Sequence, residues 1–74
     1  MDTMYIVGKK IAHYRKQNNI SQQAFAEMCG ISIRYLSQIE NKGANLSYSI
    51  ITQLCTIMNQ TPKQLLADPL SYYY

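Results

Sequence analysis

The sequence predicts an all-α fold, a compact bundle of five helices in a single domain covering residues 1–74. Apolar residues recur at the three- and four-residue spacing of amphipathic helices, and no segment has the pattern of a strand. Hydroxyl residues suited to helix N-caps precede helices 2 to 5. The chain has 74 residues, of which 47% are hydrophobic, so it can form one small core.

Helix 1 is expected to extend from about Tyr5 to Gln17. The helical spacing of its apolar residues predicts an inner face made of Ile6, Val7, Ile11 and Tyr14. A polar turn over residues 17–19 then separates helix 1 from the next helical segment.

Two short helical patterns joined by a glycine follow. Ser21 is placed to cap the first and Ser32 the second. Gly30 lies between them, where a sharp turn requires a residue that tolerates left-handed backbone. The buried faces are predicted to begin with Ala24 and Phe25 in the first helix and to comprise Tyr35, Leu36 and Ile39 in the second. This layout over about residues 21–41 is that of a helix-turn-helix, whose second helix can enter the major groove of DNA.

A polar loop over residues 42–46 leads to helix 4, which Ser47 caps and which continues to about Met58. Asn59 suits a left-handed C-cap. The apolar stripe of helix 4 is predicted to contain Ile51, Leu54, Cys55 and Met58. Helix 5 is short, begins at Thr61 and Pro62 and ends at Asp68–Pro69, which leaves a C-terminal tail over residues 69–74.

The outer face of helix 3 carries the side chains that can contact DNA. Arg34 can form paired hydrogen bonds with guanine or bind a phosphate, and Gln38 can bond adenine if the middle of the helix faces the groove. Ile33 cannot hydrogen-bond a base but can pack on a thymine methyl group. For Arg34 the alternative is an ordinary surface arginine.

Residues 7–66 resemble the lambda-repressor/Cro-like helix-turn-helix family, often called the XRE family. The resemblance rests on Val-Gly-Lys-Lys-Ile-Ala-His-Tyr-Arg-Lys at 7–16, Ile-Ser-Gln at 20–22 and Tyr-Leu-Ser-Gln-Ile-Glu-Asn at 35–41. It implies a regulator of transcription that binds a double-stranded DNA operator by sequence, with repression as the expected effect. Ile33 departs from the best-known phage repressors, which have a base-contacting glutamine there, so the preferred operator is left open.

The resemblance also implies roles for individual residues. Gln22 matches a glutamine that contacts phosphate and braces the recognition helix, and Asn41 matches a phosphate contact beyond the helix end. Arg15 and Glu40 match a structural ion pair between helices 1 and 3. Tyr35 is expected to pack in the core, with a phosphate contact as the alternative. The complete set of candidate DNA-binding residues is Gln22, Ser32, Ile33, Arg34, Ser37, Gln38 and Asn41.

Composition and motifs restrict the other classes of function. Seven basic residues against four acidic ones give a net charge of +3. Together with the helix-turn-helix pattern, this charge favours a nucleic-acid partner.

No membrane span or secretory signal is recognisable, so we expect a cytoplasmic protein. Cys29 and Cys55 are expected to be small buried hydrophobes and His13 a surface residue. We expect no catalytic residues, no metal site and no cofactor, and therefore no enzyme.

A homodimer is expected, because one helix-turn-helix contacts too few base pairs to select an operator. The candidate dimer interface is the apolar C-terminal end, with Leu65, Leu66, Leu70 and Tyr72. In the alternative arrangement, Leu65 and Leu66 close the core of the monomer. Alternative functions are an antitoxin or other protein-interaction module with a protein partner, or a restriction–modification controller protein.

Overall fold

The computed structural model describes residues 3–67, and it confirms the all-α prediction. Within these residues there are five helices and no strand. The helices are α1 (Thr3–Gln17), α2 (Gln22–Cys29), α3 (Ile33–Lys42), α4 (Tyr48–Met58) and α5 (Pro62–Leu66). Helix α1 begins two residues earlier than expected.

The predicted caps fix the ends of the helices. The side-chain oxygen of each predicted N-cap accepts a hydrogen bond from the backbone N–H three residues later, at 3.0–3.2 Å. The N-caps are Ser21, Ser32, Ser47 and Thr61. Gly30 ends α2 with φ 69°, and Asn59 ends α4 with φ 55°, both in the left-handed region. Local sequence therefore determines where the four later helices begin.

One apolar core joins all five helices. Its buried members are Val7, Ile11, Phe25, Ala26, Cys29, Leu36, Ile39, Leu54, Cys55, Met58 and Leu65. The prediction that Ala24 begins the buried face of α2 is wrong: Ala24 is exposed, and Ala26 and Cys29 are buried with Phe25. Those three residues share one side of the helix, and Ala24 projects about 100° away from Phe25. Tyr14, Tyr35 and Ile51 are partly buried at the margin of the core.

Helices α1 and α3 approach each other at Gly8. A Cβ atom added to Gly8 would overlap the carbonyl oxygen of Ile39 and lie 2.9 Å from its carbonyl carbon. Only a residue without a side chain permits this approach. The position of α3, and therefore of its outer face, depends on this contact with α1.

Lys10 is a buried charge that the sequence analysis did not identify. Its side chain lies between α1 and the end of α5 and is 1% exposed. Its Nζ donates hydrogen bonds of 3.0 Å to the carbonyl oxygens of Gln64 and Leu65, and a further one to that of Ala67. The carbonyls at a helix C-terminus attract a cation, so Lys10 ties the end of α5 to α1.

The structure changes the expected dimer interface. Leu65 is fully buried in the core of the monomer, so the prediction that it contributes to an intermolecular surface is wrong. It is buried because α5 packs against both α1 and α4. Leu66 is half-buried beside the core. Leu70 and Tyr72 lie outside the described residues.

Three further features of the structure concern membrane spans, metal sites and the two cysteines. None of the helices in residues 3–67 is long and apolar enough to cross a membrane. In the same range, no group of three or more His, Cys, Asp or Glu residues is placed to hold a metal ion. Cys29 and Cys55 are buried free thiols, and burial raises the pKa of the Cys29 thiol, which favours its unreactive protonated form.

Candidate nucleic-acid interface

The candidate DNA-binding residues of α3 form one surface. Ile33, Arg34, Gln38 and Asn41 are exposed, and Ser37 is half-buried between them. At about 100° per residue, these five side chains occupy an arc of roughly 140° on the helix. A concavity of about 480 Å³ is lined by this arc together with Gln22 from α2 and Lys42 at the end of α3. We call these seven residues the recognition face.

Three side chains of the recognition face, those of Arg34, Gln38 and Lys42, have their polar groups available. They make no hydrogen bond within residues 3–67. The side chain of Asn41 donates from Nδ2 to Ser37 Oγ at 3.1 Å, one helical turn earlier. Arg34 and Gln38 can therefore bind an external partner without first breaking a contact within the described part of the protein.

Ser32 occupies a different position from the other candidates. Its hydroxyl accepts a hydrogen bond from the backbone N–H of Tyr35 at 3.0 Å and caps α3. Ser32 is exposed at the start of the helix but does not line the concavity. The structure assigns it a role in fixing the beginning of α3, and a DNA contact by Ser32 stays a prediction.

Behind the recognition face, Arg15 and Glu40 form a two-point ion pair. Arg15 Nε lies 2.7 Å from Glu40 Oε2, and Arg15 Nη2 lies 2.9 Å from Glu40 Oε1. Their side chains are 12% and 4% exposed. The hydrogen bonds to Glu40 raise the pKa of Arg15, against the opposing effect of burial. Paired hydrogen bonds of this kind fix the relative orientation of the two side chains as well as their distance.

Gln22 connects this ion pair to the recognition face. Its Nε2 donates to Glu40 Oε1 at 3.1 Å, and the side chain also lines the concavity. Arg15 extends the same network by donating from Nη1 to the carbonyl oxygen of Ile20 at 3.0 Å. The start of α2, the end of α3 and the C-terminal half of α1 are thus held together through Glu40. A phosphate contact by Gln22 stays a prediction.

Tyr35 packs against the core and hydrogen-bonds within the protein. Its ring is partly buried, and its hydroxyl donates to the carbonyl oxygen of Asn45 at 2.8 Å. This bond joins α3 to the loop before α4. The arrangement agrees with the expected packing role rather than with the alternative of a phosphate contact.

Lys42 is a member of the recognition face that the sequence analysis did not include. It is exposed at the last position of α3 and lines the same concavity as Arg34. The signal in the sequence was its place one helical turn after Gln38, beside Asn41. His13, by contrast, lines a separate concavity of about 360 Å³ on α1, with Lys9, Ala12 and Lys16.

Helix α3 presents available polar groups, and α2 supports it from the other side of the turn at Gly30. This arrangement is that of a helix-turn-helix DNA-binding domain. Residues 8–70 match a protein family described as a helix-turn-helix domain, and the chain belongs to that family. It is also similar to "Control protein C.SmaI" of Serratia marcescens. The two are 32% identical over 66 residues, which make up 89% of this chain and 79% of that protein. The chain is a DNA-binding regulator of the XRE type.

Proposed function

We propose that this regulator represses transcription by binding a specific double-stranded DNA operator as a homodimer, with α3 in the major groove. One observation carries the proposal. The recognition face combines available hydrogen-bonding groups on α3 with a buried network that fixes their position. Such preorganised side chains suit recognition of base edges.

Within this proposal the residues divide into two groups. Arg34 binds a guanine through paired hydrogen bonds, and Gln38 binds an adenine. Gln22, Asn41 and Lys42 lie around them and bind backbone phosphates, which position the helix in the groove. Ser37 holds the amide of Asn41 in place.

Of the two alternatives, a controller protein is supported by the comparisons more than a module that only binds another protein. The similar protein from Serratia marcescens is named a control protein, and the similarity extends over most of both chains. We therefore propose that this chain too acts as a controller, in the cytoplasm and without enzymatic activity. A protein partner, as in the antitoxin alternative, would be an addition to this role.

The decisive experiment is selection from random duplex DNA with the purified chain, followed by titration of the enriched sequence at several salt concentrations. We expect an enriched sequence with two copies of one half-site related by two-fold symmetry. The affinity should fall steeply as salt rises, because phosphate contacts displace counterions. An enriched pool without any common sequence would contradict the proposal. Binding only to a protein partner, with little dependence on salt, would favour the alternative.

The homodimer is proposed because one recognition helix contacts only a few base pairs. Two half-sites centred about one helical turn, ~34 Å, apart would supply the required discrimination. With Leu65 buried in the monomer, Leu66 is the described residue of the proposed interface, next to the segment that contains Leu70 and Tyr72.

Sedimentation at micromolar concentration tests this interface. The intact chain should sediment as a dimer, and Leu66→Glu and truncation after Asp68 should each shift it towards the monomer. Gln53→Glu is the control, because it adds a negative charge at an exposed residue of another helix, α4. A dimer that survives both changes would place the interface elsewhere, and a monomeric intact chain would refute the proposal.

A further inference from the structure

Ile33 is the one apolar side chain of the recognition face. It is 50% exposed, and the other six residues that line the concavity are polar or charged. Single exposed isoleucines are common on protein surfaces and need no special role. This one lies at the first position of α3, where the side chains of a recognition helix contact base edges.

The start of α3 holds Ile33 in a fixed orientation. Ser32 caps the helix through the backbone N–H of Tyr35, so the backbone around Ile33 is constrained on both sides. The side chain is β-branched and has few rotamers to lose. An ordered apolar side chain of this kind stabilises a complex only if an apolar group of the partner covers it.

The major groove offers few apolar groups to such a side chain. Base edges there present hydrogen-bond donors and acceptors, and the methyl group on C5 of thymine is the standard exception. A methyl group at C5 of cytosine occupies the equivalent place on the pyrimidine ring. A polar base edge opposite Ile33 would lose water without gaining a hydrogen bond.

We propose that Ile33 recognises the C5 methyl group of a pyrimidine in each half-site, at or next to the base pair bound by Arg34. The proposal rests on the proposed function, since it requires α3 to enter the major groove. The two residues are consecutive in the first turn of α3, and their side chains point about 100° apart around the helix axis, so they can reach the same base pair or neighbouring ones. The half-site is therefore expected to contain a methylated pyrimidine beside a guanine.

The test uses the duplex selected in the experiment above. Each thymine of a half-site is replaced in turn by uracil, which lacks only the methyl group. At one position the affinity of the protein should fall about three- to fivefold, the effect of one methyl or methylene group taken out of water. At the remaining thymines the replacement should have little effect.

Variants of the protein show whether Ile33 causes this difference. Ile33→Ala should bind the thymine and uracil duplexes equally, whereas Ile33→Val should keep most of the preference. Met28→Ala is the matched control, because Met28 is also 50% exposed but lies outside the recognition face. It should keep the full preference for thymine. The melting temperature of each variant checks that the fold is intact.

A second pair of duplexes separates the two sources of the methyl group. At the sensitive position, cytosine and 5-methylcytosine are compared within the same C·G pair. A tighter complex with 5-methylcytosine supports recognition of the methyl group from either base, and equal affinities limit the proposal to thymine.

Two results would overturn the inference. One is specific binding that no uracil replacement weakens, in which case the proposed function still stands. The other is a preference for thymine that persists in Ile33→Ala. Failure to select any sequence would instead refute the proposed function itself.

Discussion

The two faces of α3 differ in how completely their polar groups are satisfied. On the inner face, Glu40 is 4% exposed, and both of its carboxylate oxygens accept hydrogen bonds, from Arg15 and Gln22. On the outer face, Arg34 and Gln38 are exposed and make no hydrogen bond within residues 3–67. One ten-residue helix therefore has a side that stabilises the fold and a side that is available to a partner.

This difference predicts how substitutions on the two faces should behave. A change on the inner face leaves a buried group without its partner, so it should lower stability and, by displacing α3, also weaken DNA binding. A change to Arg34 or Gln38 on the outer face removes a polar group that makes no hydrogen bond in the described part of the free protein. It should weaken DNA binding and leave the free energy of unfolding nearly unchanged.

The largest effect is expected from Glu40→Ala. It leaves the Arg15 guanidinium, which is 12% exposed, without its carboxylate and should lower the free energy of unfolding by about 3–5 kcal/mol. Thermal or urea unfolding measures this loss. The exposed Glu27 provides the control, because Glu27→Ala should change stability by less than about 0.5 kcal/mol.

The pairing itself is tested by a double-mutant cycle. Arg15→Ala combined with Glu40→Ala should cost less than the sum of the two single changes, because the double variant leaves neither charge unpaired. If the two losses add, Arg15 and Glu40 do not stabilise each other, and the inner face lacks the proposed network.

Gly8→Ala should destabilise the protein by about 1–3 kcal/mol, because the added Cβ collides with the backbone of Ile39. The direction of this change in stability is informative by itself. Without that collision, alanine inside a helix would stabilise the protein by about 0.5–1 kcal/mol relative to glycine. An unchanged or raised melting temperature would show that α1 and α3 do not approach as closely as the structure indicates.

The smallest effect is expected at the edge of the recognition face. Lys42→Gln should weaken binding to all DNA sequences to a similar extent and reduce the slope of affinity against salt by about 1, as expected for one lost phosphate contact. Lys63→Gln is the control, since Lys63 is exposed on α5 and does not line the concavity. If both variants alter the slope equally, the effect reflects net charge rather than a contact.

The sequence predicted the parts of this structure that depend on local chemistry. Ser21 and Ser32 mark the helix starts through hydrogen bonds to nearby N–H groups, and Gly30 marks the turn between α2 and α3 through its left-handed backbone. The spacing of polar and apolar residues also predicted which side of α3 faces outward. These features involve residues a few positions apart, so they can be inferred without knowledge of the tertiary structure.

The sequence did not predict the features that depend on distant packing. Lys10 lies at the helical spacing of the inner face of α1, but a lysine is expected to extend its ammonium group to solvent. It is buried because α5 ends beside α1, more than fifty residues later. Leu65 is also buried through contacts between distant segments, because α5 packs on both α1 and α4. The close approach at Gly8 depends on the backbone of α3, which no local pattern specifies.

The central claim is that Arg34 and Gln38, on the outer face of α3, bind specific base pairs and contribute little to the stability of the fold. Arg34→Ala tests it most directly, by titration of the selected duplex and of its single-base variants at fixed salt, with the melting temperature measured alongside. Specific binding should weaken by about 1–3 kcal/mol, discrimination should be lost at one base pair, and the melting temperature should not change. Unchanged affinity for the selected duplex, or a loss of affinity explained by a lower melting temperature, would contradict the claim.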